Sequence, residues 1–216
     1  MAEATQQLAL SDFAAALPGS RFELIENFVD PQQAARSYQR LIEQLPWQQH
    51  TVRMFGREHL APRLSCWIGD PDAHYRYSGV RYPPLPWTTD LLPLREILES
   101  FIGAQFNSVL ANWYRDGQDC MGWHSDNESE LGAEPLIASL SLGATRRFQL
   151  RSRDRRWRCQ LELEAGSLLL MAGSSQRLSQ HALVRAAARQ RASTPGRLNL
   201  TFRQIIQPAR PGPPQR

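Results

Sequence analysis

The chain has 216 residues, enough for one large domain or two small ones, and 42% of them are hydrophobic, so a substantial core can be buried. Its net charge is +4, but all 25 basic residues are arginine, a bias that a GC-rich genome produces as readily as a polyanionic partner does. No run approaches the roughly 20 apolar residues of a membrane span, and the three cysteines contain no CxxC pair, which excludes a zinc ribbon and suits a reducing cytoplasm.

Residues 1–20 read as a leader, partly disordered, and Met1-Ala2-Glu3-Ala4 lacks the basic-then-apolar layout of a secretory signal, so a cytoplasmic location is expected. Asp30 followed by Pro31 is an N-cap with proline in the first turn, and Ala34, Tyr38, Leu41, Ile42 and Leu45 then keep helical spacing. A second helix is predicted from about Thr89 to Ile102, with Leu91, Leu94, Leu98 and Phe101 on one stripe and Gly103 at its end. From Asn107 onward the period changes to two. Strands are predicted at Ser108–Tyr114, Ile137–Leu142, Phe148–Arg151, Trp157–Leu163, Ser167–Met171, His181–Arg185 and Leu198–Ile205. Short, closely spaced strands argue for a sandwich or jelly roll. The fold class expected is mainly β with flanking helices. One domain is read over 21–206, and the Pro-rich tail 207–216 can bury little.

His124-x-Asp126 places two ligand types on one face of a strand or its edge, because alternate residues project to the same side. His181 can supply a third ligand from another strand. Two imidazoles and a carboxylate suit Fe(II) and leave positions open for O2 and a bidentate ligand. The tripeptide alone is common by chance, and zinc also fits such a site. In the last strand Leu198, Leu200 and Phe202 face one way, and Arg197, Asn199, Thr201 and Arg203 the other. Buried without a ligand, four polar residues in register would be costly. A solvated edge strand is the competing reading. The two arginines stand roughly 20 Å apart along an extended strand at about 3.3 Å per residue. Leaning inward, they leave room for a five-carbon diacid, each carboxylate meeting a guanidinium. Asn112 and Tyr114 offer further hydrogen bonds.

Together, Asn112-x-Tyr114, His124-x-Asp126, His181 and Arg197-x-Asn199-x-Thr201-Phe202-Arg203 resemble the AlkB family of Fe(II)- and 2-oxoglutarate-dependent dioxygenases, over about residues 45–205. The resemblance implies a double-stranded β-helix (a jelly-roll variant) over about 105–206, with a nucleotide-recognition lid over about 47–87. It implies iron on His124, Asp126 and His181, which would be the catalytic center, and 2-oxoglutarate held by Asn112, Tyr114, Arg197, Asn199, Thr201 and Arg203. O2 completes the cofactor set. Pro62-Arg63, Tyr75-Arg76-Tyr77-Ser78-Gly79 and Pro86-Trp87 look like the lid of the nucleic-acid-repairing members.

In that likeness Tyr77, with Tyr75 nearby, is an aromatic wall for an extruded base, Arg63 and Ser78 are substrate contacts, and His124 forms the opposite wall. Glu128 faces the exocyclic amine of a methylated base. Val52-Arg53-Met54-Phe55-Gly56 resembles the hairpin finger of the duplex-repairing branch, with Phe55 as a wedge. Simpler readings stay open: hairpin packing for the tyrosines, a core role for Phe55, a surface carboxylate for Glu128. The Arg146–Arg158 segment, with seven arginines, is a hairpin whose arginines contact phosphates or only solvent. The function implied is oxidative demethylation of 1-methyladenine and 3-methylcytosine in DNA by a monomer with no membrane contact, releasing formaldehyde, succinate and CO2. The alternative is the same chemistry on RNA, protein or another substrate.

Overall fold

The computed structural model describes residues 5–54, 57–77 and 80–206, without the side chains of 52–54, 57, 75–77 and 80–82. In chain order it forms β1 (Gln6–Leu8), α1 (Leu10–Ala15), β2 (Ser20–Ile25), α2 (Pro31–Gln44), β3 (Thr51–Met54), β4 (Arg57–Leu60), β5 (Leu64–Gly69), β6 (Tyr75–Tyr77), β7 (Val80–Tyr82) and α3 (Leu92–Ile102). Then follow β8 (Ser108–Tyr114), β9 (Met121–His124), β10 (Ile137–Gly143), β11 (Arg146–Ser152), β12 (Trp157–Leu163), β13 (Leu168–Gly173), α4 (Ser175–Leu178), β14 (Ser179–Leu183) and β15 (Arg197–Arg203).

Two sheets make the jelly roll. The larger runs β2-β13-β10-β15-β8-β5 and the smaller β1-β12-β11-β14-β9, while β3-β4 and β6-β7 pair only with each other. The larger sheet is covered on its outer face by α2 and α3. Leu41, Leu94 and Leu98 pack there against Ala138, Leu140, Leu198, Leu200 and Phe202. Between the sheets lies a second cluster with Phe22, Tyr114, Phe148, Leu150, Leu169, Met171 and Leu183. Strand β15 is therefore central and buried along its whole length, and its polar face looks into the space between the sheets. The solvated-edge reading of that strand fails for this reason.

Local signals set several boundaries. Asp30 Oδ1 accepts from the backbone N–H groups of Gln32 and Gln33 at 3.0 Å and starts α2. Helix α3 begins at Leu92, three residues later than the spacing predicts, with Pro93 in its first turn, and ends where Gly103 adopts φ 71°. Gly143 (φ 80°) is also required: a Cβ there would lie 2.6 Å from Gly196 O and 2.7 Å from the Tyr38 ring.

Three expectations are corrected. Residues 5–20 are built into the fold: β1 pairs in parallel with β12, and Phe13 of α1 is fully buried. Trp87, expected in the lid, stacks on core residue Phe202 at 6.3 Å and donates to Asp70 Oδ1 at 2.7 Å. The last strands shift: β14 covers Ser179–Leu183, which puts His181 at mid-strand instead of at the start. Phe55, Ser78 and the tail 207–216 lie outside the described residues, as do the side chains of Tyr75 and Tyr77. The backbones of both hairpins pair as expected, Tyr75 opposite Tyr82 and Thr51 opposite Leu60. Cys66 and Cys159 are buried free thiols, pushed by burial to about 12 and about 11, so they stay protonated and inert.

Candidate metal and co-substrate site

His124 ends β9, and His181 sits directly opposite it on β14 in the antiparallel register. Their rings meet edge to face with centroids 4.2 Å apart. Asp126 follows two residues after His124, past the end of the strand. Its Oδ1 lies 3.7 Å from His124 Nε2 and 4.0 Å from His181 Nε2. The three ligand atoms all fall within 4.8 Å of one another. For bonds of about 2.1 Å, as these groups make to a first-row ion, two ligand atoms at right angles sit about 3 Å apart. A small inward rotation of each side chain reaches that spacing.

The protonation states suit a metal. His124 Nδ1–H donates to Gly122 O at 2.8 Å, which leaves Nε2 as the free lone pair. His181 is held neutral, its pKa lowered to about 3, chiefly by burial and then by His124 and Arg203, against the pull of Asp126. Burial pushes the Asp126 carboxyl up, but Arg203 and the two histidines outweigh it and hold it at about 2. Arg203 Nη2 donates to Asp126 Oδ2 at 2.6 Å, so the other oxygen is the one turned to the imidazoles. Phe148 stacks on His181 at 5.5 Å and shields it.

Along β15 the polar face forms one network. Arg197 Nη2 donates to Ser141 Oγ at 2.9 Å and to Asn199 Oδ1 at 2.7 Å. Ser139 Oγ donates to the same Asn199 oxygen, and Asn199 Nδ2 donates to Thr201 Oγ1 at 2.7 Å. Ser139 and Ser141 escaped the sequence reading. Their signal was two serines at alternate positions in the apolar run Ile137–Leu142, opposite Thr201 and Asn199 in register. Arg197 is 1% exposed, its guanidinium is 5.6 Å from the center of the Tyr114 ring, and its Nε has no partner. Among the described residues no carboxylate pairs with it. Burial lowers it to about 10, so it is still cationic at neutral pH. A buried unpaired cation is costly, and an anion on it removes that cost. Tyr114 is raised by burial and stays a phenol able to donate.

A cavity of about 290 Å³ joins the two ends, lined by His124, Asp126, His181, Asn112, Tyr114 and Arg197 among others. Glu128 and Arg63 also line it. Arg63, expected to face substrate, is buried and donates through Nε to Asn112 Oδ1 at 2.9 Å. It also borders a second cavity of about 250 Å³ beneath residues 46–50 and 61–67. Of the seven arginines in 146–158, Arg146 is buried and donates to the carbonyls of Asp116, Asp119 and Val184 at 2.8–2.9 Å, a structural role.

Residues 21–203 match the model of the 2OG-Fe(II) oxygenase superfamily. The chain is 39% identical over 207 residues to the rat alpha-ketoglutarate-dependent dioxygenase alkB homolog 3, covering 90% of this chain and 67% of that one. It is 37% identical over 163 residues to the human DNA oxidative demethylase ALKBH2, covering 72% and 61%. The chain thus spans about two thirds of the length of the curated relatives it matches. The solved structure of OsALKBH1 superposes with a TM-score of 0.60 at 20% identity, covering 85% of this chain and 97% of that one, a likeness of fold.

Fold and site together define a 2-oxoglutarate- and Fe(II)-dependent oxygenase. More narrowly, the chain belongs to the AlkB family of these dioxygenases, which use iron, 2-oxoglutarate and O2.

Proposed function

We propose that this protein removes N-linked methyl groups from nucleobases in DNA, 1-methyladenine and 3-methylcytosine first among them, releasing formaldehyde with succinate and CO2. The observation that carries the reading is the pairing of two features in one cavity. A convergent His124, Asp126, His181 cluster lies at one end, and a buried arginine without an acidic partner at the other. The relatives' names, a DNA oxidative demethylase among them, support the substrate class.

In this reading His124, Asp126 and His181 hold iron, which with 2-oxoglutarate and O2 supplies the oxidation of a substrate C–H bond. Arg197 binds the distal carboxylate of 2-oxoglutarate, and the Tyr114 phenol donates to it. Asn199 and Ser141 hold the guanidinium in place, and Thr201 orients Asn199. Asn112 is oriented by Arg63. Arg203 fixes Asp126. Glu128 sits at the cavity wall, where a carboxylate favors the cationic methylated base. Tyr75, Tyr77 and Ser78 would receive the extruded base, and Phe55 would fill its gap. The hydroxymethyl group left on nitrogen loses formaldehyde, and the ring nitrogen keeps its electron pair. The domain is read as a lid over about 47–87 on a core over about 105–206, acting as a monomer.

The test is turnover of an oligonucleotide carrying a single 1-methyladenine, with Fe(II) and 2-oxoglutarate. Formaldehyde and succinate in equal amounts are expected. Succinate release that the methylated strand does not stimulate, with no base repaired, would contradict the assignment.

A further inference from the structure

One buried polar side chain beside the candidate ligands has no part in that scheme. Gln176, on α4 just ahead of β14, is 1% exposed. Its Oε1 accepts the backbone N–H of Asp126 at 2.9 Å, across 50 residues of sequence. Its amide nitrogen lies 3.4 Å from Ser175 Oγ and 3.6 Å from Met171 Sδ. Asp126 is therefore gripped twice. Arg203 takes its Oδ2, and Gln176 takes its main chain.

The turn that carries Gln176 is itself tied to the ligand segment. Arg153 donates to the carbonyls of Arg177 at 2.7 Å and Gln176 at 3.4 Å, and to Ser125 Oγ at 3.2 Å. Ser125 lies between the first two ligands and donates to Ser179 O at 2.7 Å. Ser179 is two residues before His181 in β14. A buried main-chain N–H must find an acceptor, and here the acceptor belongs to the turn that leads into the strand of the third ligand.

We infer that Gln176 is a positioning residue for the metal carboxylate: it fixes the Asp126 backbone so that Oδ1 faces both imidazoles, and it couples Asp126 to the strand that bears His181. The inference rests on the metal reading of the site. It goes beyond that reading by making metal geometry depend on a residue that touches neither metal nor substrate.

The test compares wild type, Gln176→Met, which removes the acceptor at similar volume, and Gln176→Glu, which keeps an oxygen at the same reach. Binding of Co(II) to the apoprotein is measured by calorimetry, and the visible absorption of the saturated protein is recorded. Gln176→Met is expected to weaken Co(II) binding about 10–100-fold and to alter the spectrum at saturation. Gln176→Glu is expected to restore both. Generally loosened packing would weaken binding but leave the saturated spectrum unchanged, and that outcome overturns the inference. So does Gln176→Met binding as wild type does. If wild type takes up no Co(II), the site assignment falls and this inference with it. If wild type binds and Gln176→Met is indistinguishable, only this inference falls.

Discussion

The two ends of β15 carry the same side chain in opposite circumstances. Arg203 donates to the buried Asp126 carboxylate at 2.6 Å. Arg197, six residues earlier on the same face, is as deeply buried but meets only hydroxyl and amide oxygens and a phenol ring. One guanidinium has its counter-charge within the fold. The other is left for a ligand. The sequence reading gave both arginines the same task, each clamping one carboxylate of a diacid. The structure gives them different surroundings, because Asp126, 77 positions away, pairs with Arg203, through Nη2, and not with Arg197. The balance of charge around each arginine is set by partners far away in sequence, which spacing along a strand does not reveal.

Breaking each end should have unequal effects. Arg203→Met leaves a buried carboxylate without its partner, and the metal-free protein should lose about 3–5 kcal/mol, read by denaturant unfolding. Arg197→Met removes a cation with no acidic partner, at the cost of its hydrogen bonds to Ser141 and Asn199. The metal-free protein should therefore lose less than Arg203→Met loses. In the presence of Mn(II), adding 2-oxoglutarate at about 100 times its wild-type Kd should stabilize wild type by about 2.7 kcal/mol beyond Mn(II) alone, and Arg197→Met by much less. Equal destabilization by both substitutions would erase the distinction.

A third buried arginine sharpens the comparison. Among the described residues no carboxylate pairs with Arg146, which is satisfied by three main-chain carbonyls. Arg146→Met should cost roughly 2–3 kcal/mol from orphaned acceptors and change the KM for 2-oxoglutarate less than about threefold.

The smallest effect concerns the ion pair of buried Asp119 with partly exposed Arg115. Burial pushes the Asp119 carboxyl up, but hydrogen bonds and charge from Arg115 outweigh it and hold it below its ordinary 3.8. A depressed folded-state value means that its contribution is complete above pH 3.8 and fades as pH falls below it. Asp119→Asn should flatten that part of the acid limb of the stability curve. An unchanged acid limb would contradict the pairing.

Much of this was legible beforehand, for identifiable reasons. Strands β8 and β12 fell where strict alternation placed them, at Ser108–Tyr114 and Trp157–Leu163. The three residues that converge were readable as a motif, although Asp126 lies past the end of β9 and His181 arrives by pairing of β14 with β9 and not by a shared face. What stayed hidden depended on partners far away in sequence. Strand β1 joins the fold by pairing with β12, about 150 residues on, and Phe13 is buried by that docking and not by any local pattern. Strand β9 is four residues long and only partly buried, too short to reveal a period. Gln176 lies in a polar run, Ser174-Ser175-Gln176-Arg177, that reads as a surface turn. It is buried, and its long-range hydrogen bond is to the Asp126 backbone, 50 residues away.

The most direct test is a crystal structure with Mn(II) and 2-oxoglutarate, grown without O2. The ion should lie within about 2.3 Å of His124 Nε2, Asp126 Oδ1 and His181 Nε2. The distal carboxylate should sit on Arg197, with Arg203 still bound to Asp126. An ion held elsewhere, or a diacid that takes Arg203 away from Asp126 and leaves Arg197 bare, would contradict the account.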